Sequence, residues 1–288
     1  MTTCYFVSDL HGSALRYEIL FREMIRNKPS FVFVGGDLLP HIHRSVRIGG
    51  KDIPDFMRNY VIPGFKEVRR KMGCNYPEVF LIMGNDDHRI EESAFLEGEQ
   101  IELWKYLNNS KFKFGPYTFY GYPFVPPTPF LLKDWEKYDV SRYVDPGCVP
   151  PTEGYRTVEP DYDTEYSTIQ QDIEKLTAND NLDKAVFLFH TPPYQSLLDR
   201  AELDGKKFEH VPLDVHVGSI AVQRFIEEKQ PMLTLHGHIH ESTRLTGHWK
   251  QAFGKTLSFN AAHDGPGLSI IKFKIDNPSD CERLIFDE

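Results

Sequence analysis

The chain has 288 residues, 40% hydrophobic and 26% charged, enough for one large α/β domain with a substantial core. Its formal net charge of −9 argues against nucleic-acid binding through a general basic surface. No apolar run reaches 18 residues, so no transmembrane helix and no membrane partner are expected.

In chain order, Cys4–Val7 is a short apolar run of β-forming residues, broken by Ser8-Asp9-Leu10-His11-Gly12. Ser13 is placed to cap a helix whose apolar face is Leu15, Ile19, Leu20 and Met24. Phe31–Val34 reads as a second strand, ended by Gly35-Gly36-Asp37. A helical segment across Asp55–Met72, interrupted near Pro63-Gly64, leads to the strand Val79–Met83 and then to Gly84-Asn85-Asp86-Asp87. Strands alternating with helices predict an α/β core, with ligands beyond the carboxyl ends of the strands.

Alternation then weakens. Phe112–Phe114 and Tyr117–Gly121 predict a hairpin. About residues 122–165 the chain is rich in proline, tyrosine and acids without a sustained period, which predicts an irregular insertion or cap within a single 1–288 domain. Its aromatics would either pack that loop on the body or form a wall for a nucleobase. A helix at Tyr166–Leu176, the buried strand Ala185–Phe189 ending in His190, and a helix at Ser219–Lys229 follow. The apolar run Met232–Leu235 runs into His236-Gly237-His238-Ile239-His240. Thr256–Asn260 and Leu268–Ile275 predict closing strands of a sheet with antiparallel members.

Five strand ends thus carry Asp9 with His11, Asp37, Asn85, His190, and His238 with His240. Two carboxylates, four imidazoles and an amide oxygen suit a pair of divalent metals, with Asp37 suited to bridging. Mixed oxygen and nitrogen donors fit Mn, Fe, Zn, Co or Ni better than calcium or an all-thiolate metal. Two ions about 3.5–4 Å apart clamp a phosphoryl group and activate water, so phosphate-ester hydrolysis is the expected chemistry.

The blocks Asp9-Leu10-His11, Gly36-Asp37, Gly84-Asn85, His190 and Gly237-His238-Ile239-His240 resemble, in order, those of the calcineurin-like metallophosphoesterases. The resemblance implies a four-layer sandwich of two mixed β-sheets flanked by helices. It implies that Asp9, His11 and His240 hold one metal, that Asn85, His190 and His238 hold the other, and that Asp37 bridges them. A metal-bridging hydroxide would then attack phosphorus in line with the leaving group, with Asn85 also facing the substrate. His236 is expected to support the site from behind.

The chain departs from the family pattern at Asp86, where many members place a phosphate-contacting histidine. Two facing cations are expected to depress the Asp86 pKa and leave it a poor proton donor, unless His41, His43 or His88 supplies the acid. Asp87 keeps the acidic residue usual at the next place and completes the candidate catalytic set of Asp86, Asp87 and His41. Arg44 and Arg89 are candidate phosphate ligands. The stretch Gly36–His41 lacks the Asp-Arg-Gly continuation of protein serine/threonine phosphatases, which favours a small-molecule diester over a phosphoprotein. A phosphomonoesterase acting on nucleotides, or a weakly catalytic metal- and nucleotide-binding module, are the alternatives. Cys4, Cys74, Cys148 and Cys281 show no disulfide or zinc spacing, and Met1–Cys4 shows no signal-peptide character, so a cytoplasmic location is expected.

Overall fold

The computed structural model describes residues 2–41, 46–48 and 50–287. The strands are β1 (Thr3–Val7), β2 (Phe31–Gly35), β3 (Val46–Ile48), β4 (Lys51–Ile53), β5 (Glu78–Ile82), β6 (Lys105–Tyr106), β7 (Ser110–Phe114) and β8 (Tyr117–Tyr122). They continue as β9 (Ala185–Phe189), β10 (Lys207–Phe208), β11 (Val211–Pro212), β12 (Leu233–His236), β13 (Lys250–Phe253), β14 (Thr256–Asn260), β15 (Leu268–Lys274) and β16 (Asn277–Phe286). The helices are α1 (Ala14–Asn27), α2 (Ile62–Met72), α3 (Glu92–Gln100), α4 (Ile169–Thr177), α5 (Ile220–Lys229) and α6 (Ser242–Thr246).

Two six-stranded mixed sheets form the body, ordered β16-β15-β1-β2-β5-β6 and β13-β14-β12-β9-β8-β7. In each, four neighbouring strands run parallel and the outer ones are antiparallel, so β14 pairs parallel with β12 while β15 closes its sheet antiparallel to β1. Strand alternation assigns the two faces. Cys4, Phe6, Phe33, Phe80 and Ile82 pack between the sheets with Phe119, Val186, Leu188, Leu235 and Phe259. The intervening residues, among them Tyr5, Val7, Val32, Val34 and Phe187, face the flanking helices. Both faces of both sheets are therefore covered, which is why the central strands read as unbroken apolar runs.

Ser13 caps α1, its hydroxyl accepting from Arg16 N–H, but Leu15 is exposed and Tyr17 joins the buried face instead. Pro63 does not interrupt a helix. It sits in the first turn of α2, which a π-helical turn, Met57–Val61, feeds directly. Several elements lacked a strong sequence signal, among them α3, with a mixed acidic face, and the largely polar edge strand β16.

Between β8 and α4 the chain forms no regular element, only isolated bridges such as Val125 to Glu136 and Leu132 to Tyr155. Its aromatics mostly turn inward. Phe124, Trp135 and Tyr138 are buried, and the Trp135 indole N–H donates to the Asp87 carbonyl at 2.8 Å. A buried Lys133–Glu136 ion pair at 2.6 Å, with Thr128 donating to the same carboxylate, fixes its interior.

Candidate metal centre

β1, β2 and β5 of one sheet and β9 and β12 of the other end on a common rim, and the loops leaving them carry the predicted ligands. The backbone there is unusual: Asp9, His11, Asp37 and His238 all have positive φ, between 46° and 71°. Non-glycine residues avoid this region, and its clustering at one rim is a mark of function. The loops lock together through Asp9 N–H to Gly36 carbonyl at 3.0 Å and His11 N–H to Asp37 carbonyl at 2.8 Å. Close approach also dictates two glycines. A Cβ on Gly84 would collide with the Asp37 carboxylate and His190 ring, and one on Gly237 with Ser8 and Asp9.

Asp9, His11, Asp37 and His240 present donor atoms within 4.8 Å of one another, as do Asp37, His190 and His238, so Asp37 belongs to both groups. The Nε2 atoms of His11 and His240 lie 3.0 Å apart, and His240 Nε2 is 3.2 Å from Asp9 Oδ1. On the other side His190 Nε2 is 3.2 Å from Asp37 Oδ2 and 3.1 Å from Asn85 Oδ1, while its Nδ1 is fixed on the Gly35 carbonyl at 2.7 Å. Carboxylates and ring nitrogens converging this closely, largely out of solvent, are a donor set that fits two divalent cations sharing one carboxylate.

Charges inside the rim reflect this crowding. Burial alone would raise the Asp9 carboxyl, but the hydrogen bond and charge of His240 outweigh it and hold it at about 2. Asp37 is likewise held low by His190 and His11 against its own desolvation. Burial opposes protonation of His190, yet Asp37 raises it to about 10, whereas burial and the neighbouring His190 take His238 down to about 3. Asp86 is pushed up to about 8 by desolvation and by Asp37 and Asp87. The depression expected from the sequence concerns a site with two cations facing Asp86, whereas this rise reflects the protein's own carboxylates and imidazoles alone.

The remaining candidates separate. His41 is half-exposed, stacks on the His11 ring at 5.5 Å between centroids, and places Nδ1 3.6 Å from Asp86 Oδ2. Asp86 is also 3.7 Å from His11 Nδ1, and the three form a further close group on the solvent side. Asp87 does not reach the cleft. Its buried carboxylate accepts from Leu38 N–H (2.8 Å), Leu39 N–H (2.7 Å) and Gly84 N–H (2.9 Å), tying the loop after β2 to the loop after β5. The direct catalytic role expected of Asp87 gives way to a positioning one. Arg89 is also diverted, paired with Glu92 at 3.4 Å and Asp161 at 3.3 Å and lying over Trp135, so it is not a free phosphate ligand. Arg44 and His43 lie outside the described residues. His236 is buried with both ring nitrogens bonded, to the Thr191 carbonyl and the Thr234 hydroxyl, each at 2.8 Å. Glu241 accepts from Glu202 N–H.

An open cleft of about 330 Å³ lies against the rim, with His11, His41, Asp86 and His240 on one side and Arg16, His263 and Asp264 on the other. Arg16 had no signal in the sequence beyond its place in α1. Its guanidinium donates to the carbonyls of Asp9, His263 and Gly265, which anchors the far bank of the cleft to the first metal-site loop.

The sequence matches the calcineurin-like phosphoesterase family profile over residues 2–242. The chain belongs to the calcineurin-like phosphoesterase family. Its members depend on a metal pair, and this phosphoesterase, a hydrolase of phosphoric esters, has the clustered groups to hold one. Two solved structures agree on the fold. One, 16% identical, superposes with a TM-score of 0.60 over 99% of this chain and 98% of its own. A protein of Thermus thermophilus, 13% identical, does so at 0.57 over 99% of this phosphoesterase and 98% of its own chain. A dimetal phosphatase from Danio rerio, 13% identical, covers 94% of this chain with 91% of its own at a TM-score of 0.49. Among curated proteins, none matches the sequence significantly.

Proposed function

We propose that this phosphoesterase hydrolyses a small phosphodiester at a dinuclear site, with Asp9, His11 and His240 on one divalent ion, Asn85, His190 and His238 on the other, and Asp37 shared. The ions, from the Mn, Fe, Zn, Co and Ni group that suits mixed oxygen and nitrogen donors, supply an activated water and neutralise charge on the phosphoryl oxygens. Asp37 fixes the spacing of the two ligand sets. Gly35 and Asn85 hold the His190 ring in one orientation, so its Nε2 faces the shared carboxylate. The Asn85 amide, which donates to Asp86 at 3.3 Å, also contacts a phosphoryl oxygen in this proposal. His41 donates the proton to the departing alkoxide, with the Asp86 carboxyl 3.6 Å from its Nδ1.

The observation that supports a diester is the charge of the cleft. Among the described residues the one guanidinium lining it, that of Arg16, is spent on backbone carbonyls, and no lysine lines it. A monoester dianion, with one more negative charge than a diester monoanion, finds no free guanidinium or ammonium there among the described residues. All four cysteines are free thiols, which supports a reducing, cytoplasmic setting, and no described helix is long and apolar enough to cross a membrane. The reading treats 1–288 as one catalytic domain, with residues 122–165 as its cap.

Metal-free protein assayed with each of the five metals on bis(p-nitrophenyl) phosphate and p-nitrophenyl phosphate tests this directly. Turnover favouring the diester and abolished by Asp37→Asn is expected. A monoester preference would replace the diester reading, and no turnover with any metal would replace the enzyme by a binding module.

A further inference from the structure

The bank of the cleft opposite His41 is formed by residues 260–266, the end of β14 and the loop that leaves it, and its backbone is pinned along its length. The Asn260 amide donates to the Leu198 carbonyl at 2.9 Å, and its oxygen accepts from Ala262 N–H at 2.8 Å. Arg283 donates to the Ala262 carbonyl at 3.1 Å, and Arg16 to those of His263 and Gly265 at 3.5 and 2.7 Å. The Asp264 carboxylate is taken by Arg244 at 2.6 Å. A loop tied this firmly presents its side chains in fixed directions.

The His263 side chain is the exception among these pinned groups. It is 22% exposed and lines the cleft, and neither ring nitrogen has a hydrogen-bond partner among the described residues. The Asp264 carboxylate, 3.9 Å from Nδ1, is too far to serve as one. The Nε2 apex occupies the space that a side chain at position 265 would need, so Gly265 is what lets the ring lie there. Burial first, then the guanidiniums of Arg283 and Arg16, hold the ring below its ordinary pKa and so uncharged at neutral pH. An uncharged imidazole carries one donor and one acceptor. An oriented ring with both unmet, at the edge of a reaction cleft, is a place for a polar group of the substrate.

We propose that His263 binds the ester group that stays on phosphorus, across the cleft from His41, and selects a group with an oxygen acceptor near the ester bond over a plain alkyl chain. This rests on the diester reading, because a monoester has no such retained group. His41 faces the departing alkoxide in that reading, which leaves the other substituent to the opposite bank. The imidazole N–H donates to an ether or hydroxyl oxygen of that substituent. An alkyl group in the same place takes away the water on the N–H and returns no acceptor, so it binds less well.

The test uses the full-length, metal-loaded protein on 2-methoxyethyl and n-butyl p-nitrophenyl phosphate, diesters that share a leaving group and match in chain length. Wild-type kcat/KM should favour the methoxyethyl ester about fivefold, the range of one neutral hydrogen bond. His263→Phe keeps a ring without nitrogen and should bring that ratio to about one. His263→Gln keeps an N–H donor and should restore a ratio of about two or more. Gly265→Ala, which displaces the ring and removes no nitrogen, should lower the ratio toward that of His263→Phe. A ratio that is the same in wild type and His263→Phe would overturn the assignment of His263 and leave the diester reading standing. Cleavage of p-nitrophenyl phosphate with neither diester turned over would sink the diester reading, and the role of His263 with it.

Discussion

His41 Nδ1 and the Asp86 carboxyl stand 3.6 Å apart, and His41 is the proton donor in the proposed mechanism. An acid matters only when the leaving group needs one. His41→Ala should therefore lower kcat about a hundredfold or more for alkyl diesters, the lower end of general-acid effects, and leave p-nitrophenyl esters nearly unaffected. A uniform loss across leaving groups, measured as a flat ratio over a series of alcohols, would assign His41 to binding instead. Asp86→His should raise turnover of the poor-leaving-group esters, and unchanged turnover would count against it. His190 gives a pH signature. Its folded value near 10 lies above the ordinary 6.5, so the metal-free protein holds this proton at pH 7 and ligation must expel it. Apparent metal affinity should rise with pH from 6 to 9 by up to about tenfold per unit for that proton, measured by chelator competition. The same raised value stabilises the metal-free fold fully below about 6.5 and is lost as pH climbs toward 10.

At the level of elements, Asp87 shows how the loops are kept in register, because one carboxylate satisfies three backbone N–H groups from two loops. Asp87→Ala leaves those donors buried and unpaired, and should cost about 2–4 kcal/mol, read as a lower urea midpoint. Activity should fall along with it, although no ligand has been touched. The strand ends were legible because each follows an apolar run covered on both faces, and such runs stand out from any helix. What lay beyond them was not. Asp87 and Arg89 are settled by partners that sequence spacing does not reveal: Arg89 by Asp161 and Trp135 from an aperiodic segment, Asp87 by the backbone of a loop 48 and 49 positions away. The turn at Pro63 misled for a related reason. A proline ends a helix or begins one, and only the π-helical turn ahead of it makes it the beginning.

Over the whole molecule, the two sheets meet in a shared aromatic and aliphatic core and present the proposed ligands to one rim, Asp9, His11, Asp37 and Asn85 from the first and His190, His238 and His240 from the second. Each proposed ion takes ligands from both sheets. Bound metals should accordingly stabilise the fold by linkage, by about 2.7 kcal/mol per site at a hundredfold excess over Kd. Chelation should lower the Tm of the native protein, and the difference should shrink in Asp37→Asn.

This division of ligands between sheets also orders events in time. A ribosome has released Asp9, Asp37 and Asn85 long before it makes His190, and His240 comes some 230 residues after Asp9. Until β9 and β12 dock, the strand ends of the first sheet carry Asp9, Asp37, Asp86 and Asp87 with one imidazole, His11, among the proposed ligands. Carboxylates of that kind hold hard cations loosely and exchange them freely. Arrival of the second sheet brings three nitrogen donors at once and converts a loose acidic patch into two selective positions. Metal selectivity therefore requires strands of both sheets in place, because the full donor set, and not any single loop, combines the oxygen and nitrogen ligands.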